Sequence, residues 1–387
     1  MALVRVPEDR RDRRKVALLT TARSDYYQAR SILRALRDSE SLHPHLLVSG
    51  SHLSGRFGRS LSDIEADGIA AIECLPMLLE DDSRLGTAIS AGLGVQMIGS
   101  ALDRIKPDVL LLMGDRYEVL ASALAAACVG IPIAHVHGGE RTDGAMDDSF
   151  RHAITKLADV HFVSTEVYRE RILQMGELPD RVITVGAPLV DQLLGSNVLP
   201  ADELAGRLGI DLHPPVALVA YHPPTREPGD PGEIIRILLT TAAQLCQTVV
   251  VTAPNQDPGS GAIRSVASEY ATRHPRVRYV TNLGADFPSM LKYADVMVGN
   301  SSAGIHEAAA FGLPVVNVGN RQASRLRPGN VIDCTPEEAA ISAAMRKALS
   351  PEFRAQASVR GASAFGDGRA GERIVRDLEG LAPFAGF

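Results

Sequence analysis

The sequence predicts an α/β protein of two consecutive parallel-sheet domains that face each other across a cleft. Short β-branched or leucine-rich runs alternate with amphipathic stretches along the chain, the mark of repeated βαβ units. The alternation stops over residues 186–200 and then restarts, which places a domain crossing there. At 387 residues the chain exceeds one ordinary core and suits two.

In the first half the strand candidates are residues 16–21, 45–48, 70–74, 109–113, 131–135, 160–163 and 182–185, with helices between them such as 26–37 and 150–157. The second half offers 216–220, 249–252, 277–280, 296–298 and 315–318. The expected domains are residues 15–190 and 191–367, preceded by a basic N-terminal tail over 1–14. The last amphipathic stretch, 368–381, is long enough to pack back on either domain. The uncharged run 119–134 is Ala-rich and broken by Gly130 and Pro132, so it reads as a helix followed by a strand, not a membrane span.

A net charge of -6 argues against a general nucleic-acid binder, which needs a basic face. It leaves room for a small anionic substrate held by a few converging cations. The basic run 10–15 reads as a solvated tail. Cys74, Cys128, Cys246 and Cys334 are scattered, with no Cys-x-x-Cys pair, so neither a metal cluster nor a disulfide framework is expected. A reducing, cytoplasmic setting fits, and no secretory signal follows the N-terminal arginines.

The chemistry-bearing residues gather where predicted strands end, and open α/β sheets bind ligands outside the carboxyl ends of their strands. His135-Val136-His137-Gly138-Gly139-Glu140 follows one such strand and runs on to Asp147-Asp148-Ser149-Phe150-Arg151-His152. Gly138 and Gly139 would let backbone approach a substrate. Asp115 and Arg116 end another strand, and a helix cap is the ordinary alternative for Asp115. Asp147 with Arg151, and Asp148 with His152, are also spaced for i,i+4 helix pairs. Co-location favours chemistry: Asp115, His137, Glu140 and Asp147 all map to carboxyl-end loops of one sheet, where ionisable groups perturb each other.

In the second half, Gly299-Asn300-Ser301-Ser302-Ala303-Gly304-Ile305-His306-Glu307 follows a strand and opens a helix, a place for a phosphate. Glu307, about a turn into that helix, is placed to accept from ribose hydroxyls; an Asn/Ser N-cap is the alternative. There is neither a Walker loop nor a G-x-G-x-x-G, which disfavours NAD. His222 at a strand end, Arg23 after the first strand and Arg321 after residues 315–318 are candidate phosphate contacts.

At these residues the chain resembles the hydrolysing UDP-N-acetylglucosamine 2-epimerases of sialic- and legionaminic-acid type. The matching pieces are Thr21-Ala22-Arg23-Ser24-Asp25-Tyr26, Met113-Gly114-Asp115-Arg116, His137-Gly138-Gly139-Glu140 through Lys156, His222-Pro223, Gly299 to Gly304 and Arg321-Gln322. The resemblance implies two Rossmann-like domains of the glycosyltransferase-B type, no metal or redox cofactor, and a homodimer. It implies removal of the sugar C2 proton with elimination of UDP to a glycal, then addition of water, giving UDP and the free 2-epimer, N-acetylmannosamine from UDP-N-acetylglucosamine.

By the same resemblance Asp115 and Asp147 are catalytic carboxylates, and His222, Ser301, Ser302, Glu307, Arg321 and Arg23 contact UDP. Asn255 is expected to face the same cleft, and Arg116 belongs to the matching motif. Many members carry Glu where this chain has His137, so either His137 or Glu140 takes that role. The change also fits a different sugar, such as a 2,4-diacetamido-trideoxy hexose. The alternatives are a non-hydrolysing epimerase, a UDP-sugar-dependent glycosyltransferase of the same fold, and a UDP-sugar sensor without activity.

Overall fold

The computed structural model describes residues 13–54, 60–69, 72–79, 81, 83–141, 146–223, 230–254, 260–323, 325–360 and 364–381. The chain divides into two compact units, Met1–Gln192 together with Gly368–Phe387, and Leu193–Asp367.

The first unit is a seven-stranded parallel sheet made of β1 (Arg14–Thr20), β2 (Leu42–Val48), β3 (Ile72–Cys74), β4 (Val109–Met113), β5 (Ile133–Val136), β6 (Val160–Val163) and β7 (Val182–Thr184). Its order is β3-β2-β1-β4-β5-β6-β7, so the winding reverses between β1 and β4, where Val16 lies opposite Val109. A crevice opens at the carboxyl ends of such a pair, because the chain leaves them in opposite directions.

Helices cover both faces, which is why the strands read as unbroken apolar runs rather than alternating ones. Val16 and Leu18 of β1 face one core with Ala29, Ile32 and Leu36; Ala17 and Leu19 face the other with Ile98, Leu102 and Ala123.

The second unit repeats the plan with six parallel strands: β8 (Val216–Ala220), β9 (Thr248–Thr252), β10 (Val277–Val280), β11 (Val296–Gly299), β12 (Val315–Val318) and β13 (Val331–Cys334). The order β10-β9-β8-β11-β12-β13 puts its reversal between β8 and β11. β13 escapes sequence reading because it is a half-buried edge strand carrying a charge, Val-Ile-Asp-Cys.

Residues 186–200 are not patternless: Pro188–Leu194 is a helix, and the chain passes from one unit to the other within it. The basic run at the start is not all tail either. Arg13 donates to the Ser39 carbonyl (2.7 Å), and Arg14 donates to the carbonyls of Leu378 (2.8 Å), Glu379 and Leu381 (both 2.9 Å). Those carbonyls end the helix Ala370–Gly380, where a cation meets unpaired acceptors. At its other end Asp191 accepts from the N–H groups of Ala370 (2.9 Å) and Gly371 (2.7 Å). The helix packs on Arg23–Asp38 so closely that a Cβ at Gly371 would sit 2.8 Å from the Ser31 backbone.

A longer uncharged stretch than 119–134 lies in the helix Arg84–Ile105, whose 22 residues are long and apolar enough to cross a membrane. It packs against the helix Tyr117–Val129, with Ile98, Ala101 and Leu102 in the core.

Candidate active site

The first cluster stands at the reversal between β1 and β4. Just past β1, Asp25 gathers the loop onto itself. Its carboxylate accepts from both threonine hydroxyls, Thr20 and Thr21 (2.8 Å for the latter), and from the N–H groups of Thr21 (3.0 Å) and Ala22 (3.1 Å). Burial pushes its carboxyl up, but the nearby His52 ring, 3.8 Å away, and the hydrogen bonds from Thr20 and Thr21 outweigh burial and hold it below the usual carboxylate range. Asp25 therefore fixes the start of the helix Arg23–Asp38, which presents Arg23 to solvent and carries Gln28 one turn further on.

Past β4, Gly114 turns the chain with φ +88° and leads to half-buried Asp115 and exposed Arg116. The helix Tyr117–Val129 has Arg116 at its N-cap with no side-chain cap bond, so Asp115 is not spent on capping. Asp115 pairs instead with Arg151, from the helix Met146–Leu157. Arg116 forks onto the buried carboxylate of Glu118 at 3.1 and 2.8 Å. Arg151 is 5% exposed and also reaches Glu140 at 3.4 Å, so one buried guanidinium draws the β4 and β5 loops together.

His137 follows β5 in the left-handed region, φ +68°. Its Nδ1 lies 2.9 Å from Glu140 Oε1 and its Nε2 lies 3.0 Å from Gln28 Oε1. Asp147 sits in the first turn of Met146–Leu157, and its carboxylate makes no hydrogen bond or ion pair with any described residue. Burial and the charge of Asp115 push that carboxyl up, against the pull of Arg116 and Arg151. Asp148 lies 3.8 Å from His152 in the i,i+4 arrangement that the spacing predicts.

Two expectations about the His-Gly-Gly segment change. A Cβ at Gly139 would sit 2.5 Å from the Tyr168 carbonyl, and one at Gly138 would press on Ile172 and His135. The glycines are required by packing against the helix Glu166–Gln174, not by the approach of a substrate. His135 is fully buried, 2.9 Å from the Gly114 carbonyl and 3.3 Å from the Thr155 hydroxyl, with burial driving it down to about 3. It is a neutral core residue.

The second cluster stands at the reversal between β8 and β11. Gly299 closes β11 with φ +142°, and a Cβ there would overlap the Ala220 carbonyl oxygen. The close approach lets the side chain of Asn300, 2% exposed, pair with the backbone of His222: Oδ1 accepts its N–H (2.7 Å) and Nδ2 donates to its carbonyl (2.8 Å). The carbonyl of Asn300 in turn accepts from Arg321 (3.1 Å) and Gln322 (2.9 Å). Asn300 thus ties together the segments holding His222, Ser301 and Arg321.

The helix expected after this loop is much shorter than predicted. Ser302–Gly304 is a 3-10 turn, Ser301 Oγ accepts from the Ala303 N–H (3.3 Å), and Glu307–Ala310 is a single turn. Glu307 opens that turn instead of lying inside a helix, so a helix dipole adds little and loop N–H groups and hydroxyls must hold any phosphate. Burial pushes the Glu307 carboxyl up, with Arg325 partly offsetting it. Arg325 also donates to His306 Nε2 (2.9 Å), whose ring packs on Phe365 at 4.7 Å.

Asn255 lies outside the described residues. Sequence reasoning missed Gln28, Glu118 and Gln322, treated Arg151 only as a helix-pair partner, and saw in Asn300 only a motif residue or cap. Asn300, Arg151 and Gln322, inside quoted motifs, carried a signal; Gln28 and Glu118 did not.

A family model described as UDP-N-acetylglucosamine 2-epimerase matches residues 34–379. A UDP-N,N'-diacetylbacillosamine 2-epimerase (hydrolyzing) of Legionella pneumophila is 36% identical over 95% of this chain and 96% of its own. A GDP/UDP-N,N'-diacetylbacillosamine 2-epimerase (hydrolyzing) of Campylobacter jejuni is 32% identical over 88% and 89%. In fold, the chain is similar to the UDP-GlcNAc 2-epimerase of Neisseria meningitidis bound to UDP-GlcNAc, at a TM-score of 0.76 and 19% identity, covering 95% of this chain and 100% of that one.

Proposed function

Because the chain belongs to the UDP-N-acetylglucosamine 2-epimerase family, we propose that it is a hydrolysing UDP-sugar 2-epimerase whose proton chemistry runs on Asp115 and Asp147. One observation carries the assignment. Two carboxylates share a strand-end crevice in opposite settings, Asp115 locked to Arg151 and Asp147 unpartnered among the described residues and pushed up. A pair whose surroundings drive them apart suits acid–base work.

In this reading Asp147 takes the C2 proton. The C2–H electron pair forms the C1=C2 bond while the C1–O bond breaks and its pair leaves with UDP, yielding a glycal. Water then adds, placing hydroxyl on C1 and a proton on C2 from the other face. The C2 proton is weakly acidic, so charge on the departing diphosphate must be stabilised. His222, Ser301, Ser302 and Arg321, organised around Asn300, are assigned to the diphosphate, Glu307 to the ribose, and Arg23 and Arg116 supply positive charge beside β1 and β4.

The substrate is a UDP-2-acetamido sugar. The relatives named for UDP-N,N'-diacetylbacillosamine, together with His137 in place of Glu, support that sugar ahead of UDP-N-acetylglucosamine. Incubating the protein with each in deuterated water tests the reading. UDP release without an acceptor and deuterium at C2 of the free sugar are expected; release only with an acceptor, and no exchange, would identify a transferase instead.

We also assign a homodimer to the first unit. Leu85, Ile89, Leu93 and Met97 form an exposed row of step four on the helix Arg84–Ile105, and Leu124 and Val129 are exposed on the helix packed beside it. No charge interrupts residues 85–102, so a two-fold contact of the row with itself meets no like-charge repulsion. A cytoplasmic setting accords with four free cysteines.

A further inference from the structure

The contacts of His137 decide which protons its ring carries, and Gln28 is the residue that decides. The two side chains come from different parts of the sheet, Gln28 from the helix after β1 and His137 from the turn after β5. Gln28 Nε2 donates to the Ser24 carbonyl one turn back (3.4 Å), which turns Oε1 toward His137 Nε2 at 3.0 Å. Flipping the amide would set Oε1 against that carbonyl, acceptor on acceptor. The ring nitrogen facing Gln28 therefore carries a hydrogen. On the other side, Nδ1 faces the Glu140 carboxylate at 2.9 Å, and that carboxylate is anchored by Arg151 (3.4 Å) and the Ser164 hydroxyl (3.4 Å). A carboxylate can only accept, so the second ring nitrogen also faces an acceptor.

We propose that Gln28 is a positioning residue that holds His137 as a hydrogen-bond donor at Nε2, so that the ring is fixed between Gln28 and Glu140 and is not the base that takes the C2 proton. The left-handed backbone at His137 fits this role. A conformation that few non-glycine residues adopt is held in place by two side-chain contacts, Glu140 from its own loop and Gln28 from the helix after β1. It also leaves Asp147 as the group free to exchange a proton. The inference rests on the epimerase reading only for its kinetic consequence; the protonation pattern stands independently.

The test uses the full-length protein with 15N-labelled histidine, the His137 signals being assigned by their loss in His137→Asn. In the wild type Nε2 is expected to show a protonated-type shift. Gln28→Met, which keeps length and removes the acceptor, is expected to shift Nε2 toward the unprotonated position. It should lower kcat for UDP release about 10- to 100-fold with little change in KM, the scale of leaving one donor without its partner. Gln28→Glu, which still accepts, is expected to restore the wild-type Nε2 shift and most of kcat.

An unprotonated Nε2 in the wild type overturns the proposal. So does a Gln28→Met protein with wild-type shifts and kcat. A wild-type protein that releases no UDP from either UDP-sugar, yet shows a protonated Nε2, refutes the epimerase reading and leaves the Gln28 assignment standing.

Discussion

At the scale of single residues, the molecule separates charges that hold from charges that move. Arg151 and Asp25 are tied down by charged and hydrogen-bonded partners, whereas Asp147 is left with only the field of its neighbours. A carboxyl pushed up on folding binds its proton more tightly folded than unfolded. Its cost to stability is thus absent below the unfolded value of 3.8 and fully present above the folded one. Asp147→Asn should therefore raise the Tm at pH 7, with the gain disappearing as the pH falls toward 3.8, while kcat drops by about 10²–10⁴. Asp115→Asn removes a like charge, so the acidic limb of whatever kcat/KM remains should move to lower pH; a pH–rate profile reads the shift. The acids of this cluster could be found in the sequence because they follow strand ends. Gln28 and Glu118 could not, since their roles arise from contacts with residues that only the fold brings near, or from burial that no motif announces. Gly138 and Gly139 show the opposite error, a motif legible as glycine yet misread as to what crowds it.

At the scale of elements, the parallel strands were legible because burial on both faces writes them as apolar runs, and β4, β6, β8, β10 and β12 fall on their expected residues. Half-exposed β13 was not legible, nor was the collapse of the helix after β11 into a 3-10 turn plus one turn of α-helix. Periodicity needs several turns to show itself, and that segment has too few. The element that matters most for binding is the junction of β8 and β11. Gly299→Ala should drive the two strand ends apart, since the clash is with backbone and cannot be relieved by a rotamer. The expected result is a loss of about 1–3 kcal/mol in denaturant unfolding and weaker UDP binding by calorimetry, through loss of the Asn300–His222 pairing.

At the scale of the whole molecule, each unit presents its cluster where its own strand order reverses, once between β1 and β4 and again between β8 and β11. That duplication was foreshadowed by the restart of the βαβ pattern, whereas the strand order, and so the reversal points themselves, required the structure. The proposed dimer belongs here as well. Ile89→Arg adds a charge at a position 45% exposed, so the folded monomer should tolerate it, and light scattering should show the mass fall to that of one chain. An unchanged dimer would place the contact elsewhere.

The return of the chain to the first unit orders the molecule in time as well as in space. The helix Ala370–Gly380, clamped by Asp191 at its start and Arg14 at its end, supplies Ile374, Val375 and Leu378 to a core whose strands were made first. On the ribosome the core of the first unit must stay open until the segment from Gly368 onward has been made, whereas the second unit is complete once Asp367 is in place. A chain stopped after Asp367 should accordingly emerge sticky, recovered in the pellet or bound to chaperones even though every strand of both sheets has been synthesised.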